Sequence, residues 1–230
     1  GILPNSKLIR NNFLFNGAHD IVKNLTVSAS ANFINTEGTG RNYTGYSDNI
    51  MSSFRQWMQT NVDYKAQEEV YDKTGRNVTW NPNSPFDLAP AYWDNPYFQR
   101  NENYESDSRN RLIGYAQVDW KITSYLSVMG RASVDTYNEL QEERKAVGSA
   151  SGEFGVGRPD VTSGYSRFER KFTETNYDLH LKFKKMLGED FSLSALLGTN
   201  LRRTKIDQVF ASTDGGLIVP DLYALSNSKN

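Results

Sequence analysis

Six stretches of the chain alternate apolar and polar residues with a period of two, the pattern of strands that hide one face. The clearest runs from Leu25 to Asn35. Leu25, Val27, Ala29, Ala31 and Phe33 point one way, and Thr26, Ser28, Ser30 and Asn32 the other. A weaker stretch precedes it, Leu8 to Asn16, with Ile9, Phe13 and Phe15 on one face and Asn11 interrupting. A third covers about Arg109 to Ile122, and a fourth starts at Leu126, with Val128, Gly130, Ala132 and Val134 opposite Arg131, Ser133 and Asp135. The fifth covers roughly Gly164 to Lys184, where Tyr177, Leu179, Leu181 and Phe183 alternate with Asn176, Asp178, His180 and Lys182. The sixth sets Phe191, Leu193, Ala195, Leu197 and Leu201 against Ser192, Ser194, Asn200 and Arg202.

The connections alternate in length. Short links fall around Gly17–Lys23, Thr123–Ser124 and Lys185–Asp190; long ones fall at about 36–108, 138–163 and 205–230. Short turns at one end and long loops at the other are the plan of a bacterial outer-membrane β-barrel, whose turns are periplasmic and whose loops are extracellular. The strand lengths agree, since crossing the hydrocarbon takes roughly 9–11 tilted residues. The expected fold is therefore all-β, an antiparallel transmembrane barrel fragment, with residues 1–230 forming part of one barrel domain. Val27, Ala29, Ala31, Val128, Ala132, Val134, Leu179, Leu181, Leu193 and Ala195 are expected to face lipid. Ser28, Ser30, Arg131, Asp135, Asp178 and Ser194 are expected to face the lumen. Six strands cannot close a membrane barrel, whose smallest natural form has about 8, so further strands are expected from elsewhere. Trp120, Tyr125, Tyr177 and Phe191 are candidates for an aromatic girdle.

Composition sharpens this. The chain is polar, with a mean hydropathy of -0.65, and no run is apolar enough for a transmembrane helix, yet 13% of its 230 residues are aromatic. A barrel reconciles these facts, because only every second strand residue must be apolar. A net charge of -1 gives no electrostatic footing for a nucleic-acid partner. The absence of cysteine excludes disulfides, thiolate metal sites and a cysteine nucleophile. Two histidines, His19 and His180, do not form a zinc motif. No catalytic residue, metal site or cofactor is expected. The chain opens at Gly1 without an initiator Met or signal peptide and reads as an internal fragment.

Several loop segments carry a resemblance. They are Gly1-Ile2-Leu3-Pro4-Asn5-Ser6, Arg41 to Tyr46, Phe54-Arg55-Gln56-Trp57, Thr79-Trp80-Asn81, Tyr92 to Tyr97 with Arg100 to Asn103, Glu143 to Ser149, and Gly215 to Tyr223. Together and in this order the chain resembles the SusC/RagA-type TonB-linked outer-membrane transporters of Bacteroidetes. That resemblance implies a barrel of about 22 strands with an internal plug. It also implies TonB-powered import of oligosaccharides or peptides and a SusD-like surface lipoprotein as lid. No plug domain or TonB-box segment is found in these residues.

The first long loop concentrates aromatics: Trp57, Trp80, Tyr92, Trp93 and Tyr97. With Arg55, Asp94 and Asn95 they suit contact with a substrate or the lid, because aromatic faces stack on sugars and the polar groups bond hydroxyls. The same aromatics equally suit a small core for the loop itself, since ordering so long a loop needs burial. A short helix is expected at Ser52–Gln59. The charged run Asn138–Lys145 is expected to be a solvated strand extension. Two other functions fit the pattern: a passive porin-like or adhesive barrel, and a soluble all-β carbohydrate-binding module.

Overall fold

The computed structural model describes residues 3–41, 49–52, 54, 57–154 and 160–230. Its elements in chain order are β1 (Lys7–Val22), β2 (Leu25–Thr39), α1 (Ile50–Ser52), α2 (Tyr64–Thr74), β3 (Pro82–Ser84), β4 (Asp87–Pro90) and α3 (Pro96–Glu102), followed by β5 (Glu105–Lys121), β6 (Leu126–Lys145), β7 (Gly152–Glu153), β8 (Asp160–Val161), β9 (Gly164–Met186) and β10 (Ser192–Ser212). Six long strands form one antiparallel sheet in the order β1-β2-β5-β6-β9-β10. Each therefore pairs with its neighbour in sequence, and β1 and β10 lie at the edges. β3–β4 and β7–β8 are small separate hairpins. No helix among the described residues is long and apolar enough to cross a membrane.

The register aligns the alternation of all six strands. One rung reads Gly17, Ala29, Ala116, Ala132, Tyr177, Leu201, and the rung beside it on the opposite face reads Ala18, Ser28, Gln117, Arg131, Asp178, Asn200. All ten residues expected to face lipid thus share one face, and all six expected to face the lumen share the other. On the apolar face the belt has a definite upper edge on β1 to β6. There the rung Asn11, Asn35, Asn110, Asn138 crosses four strands. Asn11 Nδ2 donates to Asn35 Oδ1 at 3.3 Å and Asn35 Nδ2 to Asn110 Oδ1 at 3.0 Å. Near the short-turn end, Tyr125 meets Phe183 edge-on at 5.7 Å and Lys185 lies over the Tyr125 ring. The belt slides towards the short turns from one edge to the other: β1 is most apolar at Phe13–Phe15, near the long loops, and β10 at Leu193–Leu201. That drift is what tilted strands crossing a level apolar layer require.

All three short links lie at one end. Lys23 and Asn24 alone join β1 to β2, a tighter link than Gly17–Lys23. Between β5 and β6, Thr123 Oγ1 accepts from the N–H of Tyr125 and Leu126 at 3.3 and 3.0 Å. Gly188 turns the third link with φ 85. At the other end the strands outrun the sequence alternation. β2 continues to Thr39, β5 begins at Glu105, β6 reaches Lys145 and β10 Ser212. The charged run Asn138–Lys145 is strand, as expected, but Glu139–Arg144 are half-buried and Lys145 is buried rather than solvated. The helix expected over Ser52–Gln59 appears as α1 at Ile50–Ser52, and positions 53, 55 and 56 of that stretch lie outside the described residues.

The sheet has almost no core of its own. Among the described residues, Met129 is the one buried apolar side chain of the sheet away from the loop end, and it lies on the polar face, opposite Asp119 and His180. Phe98, Ala146, Ala150, Phe154, Tyr165 and Leu217 all lie at the long-loop end. The packed interior of this chain is where its loops meet.

Candidate functional site

The loop between β2 and β5 folds on its own signals. Asp63 caps α2 by accepting from the Lys65 N–H at 2.9 Å, and Gly75, with φ 62, closes it in the left-handed conformation. Asn95 begins α3. Its Oδ1 accepts from the N–H of Tyr97 and Phe98 at 2.9 and 3.4 Å, and Pro96 occupies the first turn, where no amide hydrogen is needed. Asn95 is fully buried, and its Nδ2 donates to the carbonyls of Gln67 and Val78, both at 2.9 Å. One asparagine thus starts α3, holds α2 and fixes the segment between them.

Asp94 bridges two loops. Its Oδ1 accepts from Asn77 Nδ2 at 2.7 Å and from the Ala150 N–H at 2.5 Å, and its Oδ2 from Asn103 Nδ2 at 3.2 Å. Asn103 adds the Ala146 N–H at 2.7 Å and Ser149 Oγ at 2.9 Å. Asn103 and Ser149 lie in segments that carry the resemblance and Asn77 does not, but the sequence gives none of the three a role. Nothing local reveals that role, because each acts on a residue far away in sequence.

The expected aromatics separate into held and presented groups. Trp57 and Trp93 stack at 6.3 Å with an interplanar angle of 22°. Asn81 clamps the backbone beside them: its Oδ1 accepts from the N–H of Tyr92 and Trp93, and its Nδ2 donates to the Trp93 carbonyl at 2.8 Å. Trp80 is half-buried. Tyr97 is half-buried against α2, and burial, then the charges of Glu68 and Asp72, push its hydroxyl pKa up. Tyr92 is 78% exposed and Phe86, at the β3–β4 tip, 99%; sequence reasoning had passed over Phe86. Arg55 lies outside the described residues.

Described parts of several motif segments converge here. Arg100 is buried, and its guanidinium donates to the carbonyls of Pro4, Gly40 and Arg41. Gly40 fits this junction because its φ is 63 and a Cβ would strike the Asn5 carbonyl. Leu217 is 2% exposed, and its N–H donates to Ser163 Oγ at 2.9 Å. The Tyr223 hydroxyl is pushed up to about 12 by burial and then by the charges of Asp221 and Glu102. Arg144 lies over the Tyr104 ring at 4.9 Å and pairs with Glu142 at 3.1 Å. Burial alone would raise the Glu142 carboxyl; the Tyr165 hydroxyl and Arg144 outweigh it and hold it below its usual range.

The polar sheet face carries cross-strand ion pairs. Arg131 meets Asp178 at 2.8 Å, Arg111 meets Asp135 at 2.5 Å and Arg109 meets Glu139 at 2.8 Å. Arg131, Asp135 and Asp178 are therefore brought together on one face. His180 lies opposite Gly198, four positions along β10 from Ser194. At about 3.4 Å per residue that excludes a hydrogen bond between them and leaves no basis for a His–Ser nucleophile.

No family model matches the sequence, and no curated protein matches it. Solved structures do match. The chain aligns with the RagAB peptide importer in its "closed-closed" state (TM-score 0.62, 16% identity) and its "open-open" state (0.61, 17%), and with the RagAB peptide transporter (0.64, 18%). It shares their fold. Each alignment covers 98% of this chain and 23% of the other, so this chain spans about a quarter of their length. The fold is all-β, an antiparallel six-stranded barrel segment.

Proposed function

We propose that this chain is a wall segment of a TonB-dependent outer-membrane importer of oligosaccharides or peptides, working with a SusD-like lid lipoprotein. The observation that carries the reading is the two-faced sheet: an apolar belt on one face, ion pairs on the other, and every long connection at one end. The apolar face meets outer-membrane lipid. Arg131, Asp135 and Asp178 line the lumen. The loops are extracellular. The fold shared with a peptide importer supports the transport class and favours the peptide alternative. Plug and TonB contact belong to other parts of the protein. Within the first loop, Tyr92 and Trp57 form the contact surface for substrate or lid, with Arg55. Trp80, Trp93, Asp94 and Tyr97 hold that surface in place.

The complete protein in cells should take up labelled oligopeptide or oligosaccharide, and a protonophore should abolish uptake. Uptake that ignores the protonophore would establish a passive, porin-like barrel instead. A sharp unfolding transition of residues 1–230 in detergent-free buffer would establish a soluble binding module, because the belt and both strand edges would otherwise be uncovered.

A further inference from the structure

The apolar face is not uniform. Over β2, β5, β6 and β9 it sinks into a shallow depression of about 360 Å³ whose lining includes Ala31, Gly114, Ala116, Ala132, Thr175 and Tyr177. Gly114 explains the shape: in the rung Ala31, Gly114, Val134, Thr175 it leaves one position bare beside the single methyl of Ala31. The same rung ends on Arg203, which pairs directly with Thr175. The next rung towards the loops ends on Lys205, opposite Thr173, and the one after that pairs Lys171 with Asp207. Three cations thus stand on the apolar face beside the depression, at the edge of the belt; Asp207 shares the rung of Lys171, and Glu169, one rung further towards the loops, is paired with Arg167 at 2.6 Å. Arg203 and Lys171 have no ion pair among the described residues. Lys205 has only an exposed 3.2 Å contact to Asp207, a kind of pair that holds its partners weakly.

We propose that this is a binding site for one membrane lipid with a net-anionic phosphate headgroup. The inference rests on the barrel reading above, which turns this face to lipid. An acyl chain lies in the depression over Gly114. The phosphate sits among Arg203, Lys205 and Lys171, where cations just outside the hydrocarbon meet the headgroup layer. Asn110 and Asn138, at the level of Lys171, supply uncharged donors to the hydroxyls of the same headgroup. The cations select an anionic phospholipid over one with no net charge, and the apolar recess, adjoining through Thr175, takes its acyl chain.

The test uses the complete protein in detergent, titrated with dioleoyl phosphatidate or dioleoyl phosphatidylcholine and read by native mass spectrometry. Wild type should retain phosphatidate preferentially. Arg203→Gln with Lys205→Gln should weaken that retention by about thirtyfold, the loss expected from removing two surface cations from an anionic headgroup. Arg203→Lys should restore part of it in the Lys205→Gln background. Ala132→Phe, which fills the recess from the outside, should also weaken it. Undiminished retention in the double variant overturns the proposal; so does loss there without loss in Ala132→Phe, or displacement by inorganic phosphate. Spin labels at Val128 and Arg131 separate this failure from that of the barrel reading. If Val128 alone contacts a lipid-soluble relaxant, the barrel reading stands whatever the lipid result.

Discussion

Glu105 and Glu143 face each other across β5 and β6 as register partners, two carboxylates at the top of adjacent strands. Burial, then the charges of Glu143 and Asp107, push the Glu105 carboxyl up, with Arg41 opposing. A carboxyl raised in the folded state contributes stability that is fully present below the unfolded carboxylate pKa and is lost as pH rises through the raised value. Glu105→Gln should therefore stabilise the loop end at pH 8, by up to about 1 kcal/mol for relief of a like-charged cross-strand pair, and change little at pH 4. Thermal unfolding of the complete protein in detergent at the two pH values checks this; equal effects at both would contradict it.

Asp94 offers a test of the loop junction. Asp94→Ala removes the acceptor for Ala150, Asn77 and Asn103 at once, at a local cost of about 1–3 kcal/mol for stranded polar groups. Amide exchange at Ala150 should accelerate, and protease should cut near Gly148. Asp94→Asn keeps one carbonyl oxygen and should fall between the two. Unaltered exchange at Ala150 in the alanine variant would show that the junction does not depend on this carboxylate.

The polar sheet face invites a charge swap. Arg131→Glu places two carboxylates opposite each other on β6 and β9. Because this pair is partly exposed, the cost should be about 1 kcal/mol or less. Adding Asp178→Arg should recover most of it. A double-mutant cycle measured in detergent decides the matter, and additive effects would mean that the two side chains do not interact.

The aromatics of the first loop should divide by function. Tyr92→Ala should lower substrate uptake or lid association while barrel assembly stays normal. Trp93→Ala removes the stacking partner of Trp57 and should disturb folding of the loop as well. Heat-modifiable gel mobility measures assembly and labelled-substrate uptake measures function. Full uptake in Tyr92→Ala would remove that ring from the contact surface.

The sheet was legible in sequence where one face is apolar. Val27 to Phe33 or Tyr177 to Phe183 announce their strands because the opposite face is polar. Past Asn35 and Asn138 both faces turn polar, the contrast disappears, and Glu139–Lys145 or Lys205–Ser212 lose the alternation while the backbone ladder continues. The helix α2 had its markers, Asp63 and Gly75, but neither is distinctive alone. The junction was illegible for another reason. Asn77 reaches Asp94 and Asn103 reaches Ser149 across 17 and 46 positions, and polar pairing at such separations leaves no periodic trace. Asp94, Asn103 and Ser149, from three segments that carried the resemblance, meet there, so resemblance marked these residues and geometry supplied their reason.

Because each strand of the sheet pairs with its neighbour in sequence, assembly of this wall is a serial process. A hairpin closed by Lys23 and Asn24 presents one finished border, and the next hairpin needs only to zip onto it. The widest search is the docking of β5 on β2, whose partners run from Thr39–Ser106 to Leu25–Trp120, and the loops close over that seam through Arg100, Asp94 and Asn103. An error in one hairpin therefore stays local until the loops try to close over it, and the loop junction becomes the place where a misregistered wall is detected.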